Sequence, residues 1–277
     1  MSDPCIAEQY KTDENLRIRI ETHQRCTVGP PLEPAIDRAL ALHGDESLLD
    51  IGTGPGDFPI RLRRSGHRGQ IIGIDASPGM IAKANSAGVD VEFVQGDAQS
   101  LPFAEKSFDV VTARHMLYHV PDIPRALREA RRVLRPGGRF LAVTNARDNM
   151  GDYRKALHEA ADMLTGRLAD IVRIVVPASD VFNDQNGPSL IEDAFGNASA
   201  TFVEAALRFE TAEPALRYFD SCRTMKGLSV QDWKLAREAF AQVIARRLGN
   251  GPWIISKTIV LLTAEVPCKS HPASAQT

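Results

Sequence analysis

The chain has 277 residues, which is enough for one large domain or for a domain with an inserted lobe. Lys and Arg total 33 against 35 Asp and Glu, so the net charge is −2 and gives no electrostatic footprint for nucleic acid. The four cysteines form no Cys-x-x-Cys pair, and this spacing argues against a zinc or redox motif. Because the amino-terminus is polar and no apolar run could span a bilayer, we expect a cytoplasmic protein.

The first 145 residues predict a helical segment followed by a sheet. Residues 1–44 are interpreted as an amino-terminal helical cap, whose second helix begins near Pro34 and ends at Gly44. From residue 45 onward, short apolar runs alternate with helical segments, and strands are predicted at 47–51, 70–75, 89–94, 108–112 and 139–144. This alternation is typical of a parallel, doubly wound α/β sheet with right-handed crossovers.

A glycine-rich turn follows the first of these strands. Gly52, Gly54 and Gly56 come directly after the buried run that contains Asp50. Glycine tolerates positive φ and lets a ligand approach the backbone closely, so the turn indicates a nucleotide-type site at the carboxyl end of a strand. A dinucleotide fingerprint requires a small third residue, and Asp57 occupies that position instead. This difference disfavours a nicotinamide-dependent oxidoreductase.

Acidic residues recur at the tips of the following strands. Asp75 ends the second strand, where a carboxylate can bind the hydroxyls of a ribose. Asp97 follows the third strand in the same way.

The pattern changes after residue 145. Residues 146–196 are interpreted as a lid laid over the carboxyl end of the sheet, with a return helix near 190–195. Residues 197–266 are assigned to the carboxyl-terminal part of the core sheet, with a sixth strand at 200–209, a long amphipathic helix at 230–248 and a last strand from residue 253. Residues 267–277 are expected to be a disordered tail.

Taken together, these motifs resemble the class I S-adenosylmethionine-dependent methyltransferases, in particular the small-molecule, methyltransferase-11-like type. The resemblance covers residues 45–145 and is carried by the following landmarks in order: Asp50-Ile-Gly-Thr-Gly54-Pro-Gly56, Ile72-Gly-Ile-Asp75, Gly96-Asp97-Ala98, Tyr118-His-Val-Pro-Asp122 and Leu134-Arg-Pro-Gly-Gly138. It implies a Rossmann-like sheet of seven strands with a helical lid insertion. The last strand would be antiparallel and would lie between strands five and six.

The resemblance also implies S-adenosyl-L-methionine as the cofactor. Gly52 and Gly54 would hold the methionine end, Asp75 the ribose hydroxyls and Asp97 the adenine amino group. The full set of expected cofactor-binding residues is Tyr10, Arg19, Asp50, Gly52, Thr53, Gly54, Asp75, Ala76, Met80, Gly96, Asp97, Ala98, Arg114 and His115. No metal site is expected.

The acceptor side is less clearly marked. Alignment can contribute about 7–11 kcal/mol to such a displacement, whereas a general base adds only about 10²–10⁴-fold, so positioning should dominate. The candidate catalytic residues are His119, Tyr118 and Tyr153. We expect a small-molecule acceptor from specialised metabolism, no membrane or nucleic-acid partner, and a monomer or homodimer. A tRNA-base methyltransferase and a non-catalytic S-adenosylmethionine-binding protein remain alternatives.

Overall fold

The computed structural model describes residues 14–173, 180–222, 228–249 and 251–268, and within them it confirms the predicted fold class. One sheet runs through the molecule in the strand order β1-β7-β8-β6-β5-β2-β3-β4. The strands are β1 Thr27–Val28, β2 Leu48–Ile51, β3 Ile71–Asp75, β4 Glu92–Gln95, β5 Phe108–Arg114, β6 Leu134–Asn145, β7 Ser199–Phe209 and β8 Trp253–Glu265.

The directions of the strands match the expected topology. Strands β2 to β6 are mutually parallel where they pair. Strand β8 lies antiparallel between β6 and β7, which is the predicted place of the last strand. The two-residue strand β1 pairs antiparallel with the outer edge of β7, and the sheet therefore has eight strands where seven were predicted.

The helices cover both faces of the sheet. They are α1 Glu14–Cys26, α2 Leu32–Leu40, α3 Asp57–Arg64, α4 Pro78–Asn85, α5 Ile123–Val133, α6 Gly151–Ala161, α7 Gly166–Arg173, α8 Gly187–Phe195, α9 Ala212–Asp220 and α10 Val230–Leu248, with a 3₁₀ turn at Leu117–His119. Side-chain caps fix several starts: Asp122 accepts the Arg125 N–H at 2.9 Å, and Ser229 accepts the Asp232 N–H at 3.0 Å. None of the described helices is both long and apolar enough to cross a membrane.

Two hydrophobic clusters fill the space on either side of the parallel strands. One joins α5 and α8 to the sheet through Leu127, Phe140 and Phe195. The other joins α2 and α3 to the opposite face through Ile36 and Phe58. Each of these five side chains is at most 1% exposed, as expected for the central layers of an α/β domain.

A separate helical lobe packs on the extensions of β7 and β8. Helices α6, α7, α9 and α10 share one hydrophobic cluster, in which Phe219, Phe240 and Ile255 are completely buried. Residues 151–173, 212–222 and 228–248 therefore form the lobe together. Helix α8, which was assigned to the lid, packs instead on α5 and β8 because its apolar side is directed at the main core.

The turn that leads into β2 is fixed by Glu46. Its carboxylate accepts the N–H groups of His43 at 2.7 Å and Gly44 at 2.9 Å, and Arg139 of β6 donates to it at 3.1 Å. Burial alone would raise the pKa of this carboxyl group, but these hydrogen bonds lower the pKa to about 2. Glu46 is 9% exposed, so solvent screens these interactions little.

We expect Glu46→Gln to lower the free energy of unfolding near neutral pH by about 1–3 kcal/mol. The pKa of Glu46 is lower in the folded state than its ordinary value of 4.5, so its stabilisation is present above that value. The stabilisation is lost as the pH falls toward 2. Urea unfolding of both proteins over a range of acidic pH values measures the difference.

The matched control is Glu105→Gln, whose side chain is 70% exposed and 3.9 Å from Lys106. If the difference in the free energy of unfolding between Glu46→Gln and the unaltered protein stayed constant down to acid pH, the stabilising role given to the Glu46 carboxylate would be wrong.

Candidate functional site

The glycine turn after β2 adopts a backbone that other residues would strain. Gly52, Gly54 and Gly56 have φ values of 66°, 56° and 84°. A Cβ at Gly52 would lie 2.5 Å from Met116 Cβ, and a Cβ at Gly56 would lie 2.7 Å from the ring of Phe93. The turn is therefore packed tightly from both sides, and glycine is required for shape as well as for backbone angle.

Asp75 connects this turn to the next strand. One carboxylate oxygen accepts the Gly54 N–H at 2.8 Å, and the other accepts the Ser77 N–H at 2.9 Å. Burial raises the pKa of Asp75, and the two backbone donors oppose that shift. At Gly54 a Cβ would meet only Leu16 of α1, at 3.9 Å. The space above Gly54 is therefore bordered by the amino-terminal helix.

Asp50 and Arg114 lie beside each other on the face of the sheet that α2 and α3 cover. Asp50 is 1% exposed and accepts a hydrogen bond of 2.6 Å from Thr112. Arg114 Nε lies 4.0 Å from Asp50, and its guanidinium lies 4.2 Å from the centre of the Phe58 ring. Burial raises the pKa of Asp50, and the charge of Arg114 opposes the rise. These contacts support the strands that end at the site, and direct contact with a cofactor stays a prediction for both residues.

The remaining predicted cofactor residues of the core surround the same edge. Asp97 is exposed, and its carboxylate accepts the Gln99 N–H at 2.9 Å. The Gly96 N–H donates to the Asp75 carbonyl at 3.0 Å, which brings the two acidic residues close together. Of the other positions, Thr53, Met80 and Ala98 are buried, Ala76 is exposed, and Tyr10 lies outside the described residues.

A basic cluster, consisting of Arg19, His23, His115, His119 and Lys257, lies next to the end of β5. His115 directly follows β5, has a φ of 51°, and donates its N–H to the Val143 carbonyl at 2.8 Å. The ring of Tyr218 in α9 meets His23 edge-on at 5.6 Å. The cluster thus joins α1, the loop after β5, and the lobe.

The histidines of the basic cluster are uncharged near neutral pH. Burial, followed by the nearby basic groups, lowers the pKa of His23 and His115 to about 3 and that of His119 to about 4. Burial lowers the pKa of Lys257 to about 8, so Lys257 keeps its charge at pH 7. His23 Nδ1 is shielded from solvent without a hydrogen-bond partner among the described residues.

The predicted catalytic residues separate into two groups. The rings of Tyr118 and His119 lie 4.5 Å apart and are both partly buried, and His119 is itself a member of the basic cluster. A general base works best when its pKa is near the operating pH. With a pKa of about 4, His119 is better suited to accept a hydrogen bond than to remove a proton.

The prediction of Tyr153 as a catalytic residue is wrong. Its side chain is fully buried in the lobe, where it stacks on Trp253 at 5.8 Å. Its hydroxyl donates to the Ala215 carbonyl at 2.8 Å, and burial raises its pKa well above 10. The hydroxyl therefore satisfies a core carbonyl and has no access to a reacting group.

Sequence reasoning missed Lys257. The available signal was the alternation of β8, which places Lys257 on the same face as the buried Ile255 and Ile259. A lysine at an inward position of a strand is unusual enough to mark a site. Within the described ranges, no group of three or more metal-ligating side chains could hold a metal ion.

Comparison with known proteins gives consistent matches. Residues 49–142 match the protein family described as "Methyltransferase domain". The demethylmenaquinone methyltransferase of Lactococcus lactis is 41% identical over 116 residues, which cover 40% of this chain and 46% of that protein. The chain spans about half the length of the curated relatives it matches.

Solved structures share the fold over most of the chain. YcgJ of Bacillus subtilis is 22% identical with a TM-score of 0.56, and the match covers 84% of this chain and 97% of that chain. The [4+2]-cyclase SpnF is 20% identical with a TM-score of 0.52, covering 85% of this chain and 80% of that chain. At these identities the likeness concerns architecture alone.

We expect Tyr153→Phe to reduce stability without affecting ligand binding. The ring keeps its packing, but the buried Ala215 carbonyl loses its donor, which should cost about 1–3 kcal/mol. Urea unfolding measures the loss, and calorimetric titration with S-adenosylmethionine measures binding. Unchanged stability together with a large loss of turnover would restore a catalytic role for this hydroxyl.

Proposed function

We propose that the chain is a class I S-adenosylmethionine-dependent methyltransferase that transfers a methyl group to a small-molecule acceptor, because residues 49–142 match the family described as "Methyltransferase domain". The observation that carries the proposal is the position of Asp75. Its carboxylate lies at the carboxyl end of β3, held against the glycine turn by the Gly54 and Ser77 N–H groups. This is the place where a ribose diol is bound in doubly wound folds.

The residues around the turn fit such a cofactor. Gly52 and Gly54 have backbones in the left-handed region, and the space where a Cβ of Gly54 would lie is open up to Leu16. Each Asp75 oxygen accepts one backbone N–H, and a carboxylate oxygen can accept a second hydrogen bond. We therefore assign the methionine end to the glycine turn and the ribose to Asp75.

The sulfonium of the cofactor supplies a methyl group that is already activated for displacement. Bound between the glycine turn and Asp75, the cofactor would supply this methyl group to the acceptor's nucleophilic atom, and the acceptor's proton would go to solvent. The chain's own task is to hold the acceptor in line behind the methyl group and to exclude water, which can contribute about 7–11 kcal/mol. The loop containing Met116 packs directly on Gly52 and so brings the acceptor side to the cofactor side.

We propose a small aromatic molecule as the acceptor. The Lactococcus relative is named for action on demethylmenaquinone, and a further relative from Trichormus variabilis is named for 2-phytyl-1,4-naphthoquinone. In this chain the aromatic rings of Tyr118 and Tyr218 border the basic cluster. A role in specialised metabolism is part of the same proposal.

Two alternatives to this function are a different reaction on the same fold and the methylation of a tRNA base. The fold is shared with a [4+2]-cyclase, so a chain with this architecture can carry out a different reaction. For the tRNA alternative, two arginines of α5 are engaged within the protein: Arg131 donates to the Ala194 carbonyl at 3.0 Å, and Arg132 pairs with Glu129 at 2.7 Å. This engagement disfavours their use as a nucleic-acid surface.

The direct test is calorimetric titration with S-adenosylmethionine, S-adenosylhomocysteine and NAD in parallel. We expect the first two to bind and NAD not to bind. Transfer of a labelled methyl group to reduced 1,4-naphthoquinone, followed by mass spectrometry of the product, then tests the acceptor class. Binding of NAD alone would contradict the proposal, and cofactor binding without transfer to any acceptor would favour a non-catalytic role.

We expect Asp75→Asn to weaken S-adenosylmethionine binding by about 10- to 100-fold, since it removes charge-assisted hydrogen bonds. The matched control is Asp90→Asn, because Asp90 is 98% exposed. Calorimetry gives both affinities, and thermal unfolding shows whether the turn still folds. Equal affinities of a folded Asp75→Asn protein and of the control would remove Asp75 from the site.

A further inference from the structure

Lys257 occupies an unusual position between two hydrophobic clusters. Ile255 on one side of it belongs to the cluster of the helical lobe, and Ile259 on the other belongs to the cluster beneath α2 and α3. Strand alternation places all three side chains on one face of β8. Lys257 Nζ donates to Thr27 Oγ1 at 3.0 Å, and an ammonium group has two further protons to donate.

The neighbours of Lys257 include a second polar group that is poorly satisfied. His23 Nδ1 is shielded from solvent and has no hydrogen-bond partner among the described residues. Leaving a buried polar atom without a partner costs free energy, and such atoms in native proteins are commonly occupied by water or a ligand. Two independent observations therefore point to a ligand site here. One is the lysine between two apolar clusters, and the other is the unpartnered histidine nitrogen beside it.

The charged groups that act on His23 are positive. Within the described ranges, the groups that lower the pKa of His23 are Lys257, His115 and Arg19, after burial. For His115 they are Arg114, Lys257 and His119, again after burial. A partly desolvated positive charge attracts an anion more strongly than the same charge in water.

We propose that Lys257 and His23 form an acceptor subsite that binds the acceptor as an organic oxyanion, with the negatively charged oxygen held by the Lys257 ammonium. This inference rests on the proposed methyl transfer and names the chemical class of its acceptor. A phenolate, an enolate or a carboxylate has the required group. The acidic hydroxyl of a phenolic acceptor releases its proton to solvent on binding, so the nucleophile reaches the methyl group already ionised.

The subsite accounts for the weak bases beside it. His115 and His119 are neutral and have low basicity, so neither is suited to remove a proton from a neutral hydroxyl. An acceptor bound as an oxyanion does not need that step. The positive charge of Lys257 then stabilises the ionised acceptor, so that no general base is needed to form it.

The first experiment uses the full chain with S-adenosylhomocysteine bound and 4-nitrophenol as the probe, because this probe absorbs visible light only when ionised. We expect the bound probe to show phenolate absorption at a pH where the free probe is mostly neutral. We also expect 4-nitrobenzoate, a carboxylate, to compete for the site and neutral 4-nitroanisole to compete at least about 10-fold more weakly. The proposal would be overturned if the bound probe stayed neutral, or if 4-nitrobenzoate and 4-nitroanisole competed equally well.

The variants test Lys257 itself. We expect Lys257→Gln to weaken 4-nitrobenzoate binding by about 10-fold or more and Lys257→Arg to retain most of it, because only the arginine keeps the charge. The control is Lys155→Gln, whose lysine is 74% exposed and pairs with Asp152. Binding of 4-nitrobenzoate that is unchanged in Lys257→Gln contradicts the assignment. If Lys257→Gln does not fold, the spectrum of 4-nitrophenol bound to the unaltered protein still tests whether the acceptor binds as an oxyanion.

The affinity for 4-nitrobenzoate should also depend on pH. This probe stays ionised throughout neutral and basic pH, whereas Lys257 loses its proton above a pKa of about 8. We expect the affinity for 4-nitrobenzoate to fall as the pH rises through that value. In Lys257→Arg, which keeps its charge, the affinity should show no such fall. The titratable groups that interact with Lys257 are His23 of α1 and His115 after β5, and both histidines stay neutral over this range.

Cofactor titration separates the two proposals. If S-adenosylhomocysteine binds and the probe does not ionise, the oxyanion subsite is wrong while the methyltransferase proposal stands. If S-adenosylhomocysteine does not bind, the proposed function itself fails.

Discussion

The site depends on one carboxylate that holds two backbone segments together. Asp75 accepts the N–H of Gly54 from the glycine turn and the N–H of Ser77 from the start of α4. Glycine costs conformational entropy on folding, and a run of left-handed glycines would be mobile without such contacts. Met116 and Phe93 fill the space that side chains at Gly52 and Gly56 would otherwise need. Contacts within the protein thus hold the turn in its shape, and a preorganised site loses less free energy on binding.

The same sheet also supplies the acceptor side, through its antiparallel strand. Strand β8 runs between β6 and β7 and continues beyond the parallel strands into the lobe. Its inward side chains change from the main core at Ile259 to the lobe core at Ile255, and Lys257 lies at this change. The lobe therefore does more than cover the sheet, because its packing determines how far Lys257 is removed from water.

The central part of this architecture was predictable because its signals are local. Alternating apolar runs gave β2 to β6, the glycine spacing gave the turn, and Asp75 followed from its place at a strand tip. The lobe was only partly predictable, because its second part, residues 212–222 and 228–248, lies far along the chain from its first part, residues 151–173. Tyr153 was misassigned because its hydrogen bond to Ala215 spans 62 positions and leaves no trace in the local sequence. Strand β1 was missed because two residues carry no periodicity.

The electrostatics of the acceptor side decide between two ways of preparing a nucleophile. A general base contributes about 10²–10⁴-fold, and only when its pKa lies near the operating pH. The histidines here have pKa values of about 3 to 4, which makes that contribution small. Burial also lowers the pKa of Lys257, but only to about 8, so Lys257 stays charged at neutral pH while losing much of its hydration. A fold that desolvates both kinds of group thus weakens proton removal and strengthens anion binding, which favours acceptors that ionise readily over neutral alcohols or amines.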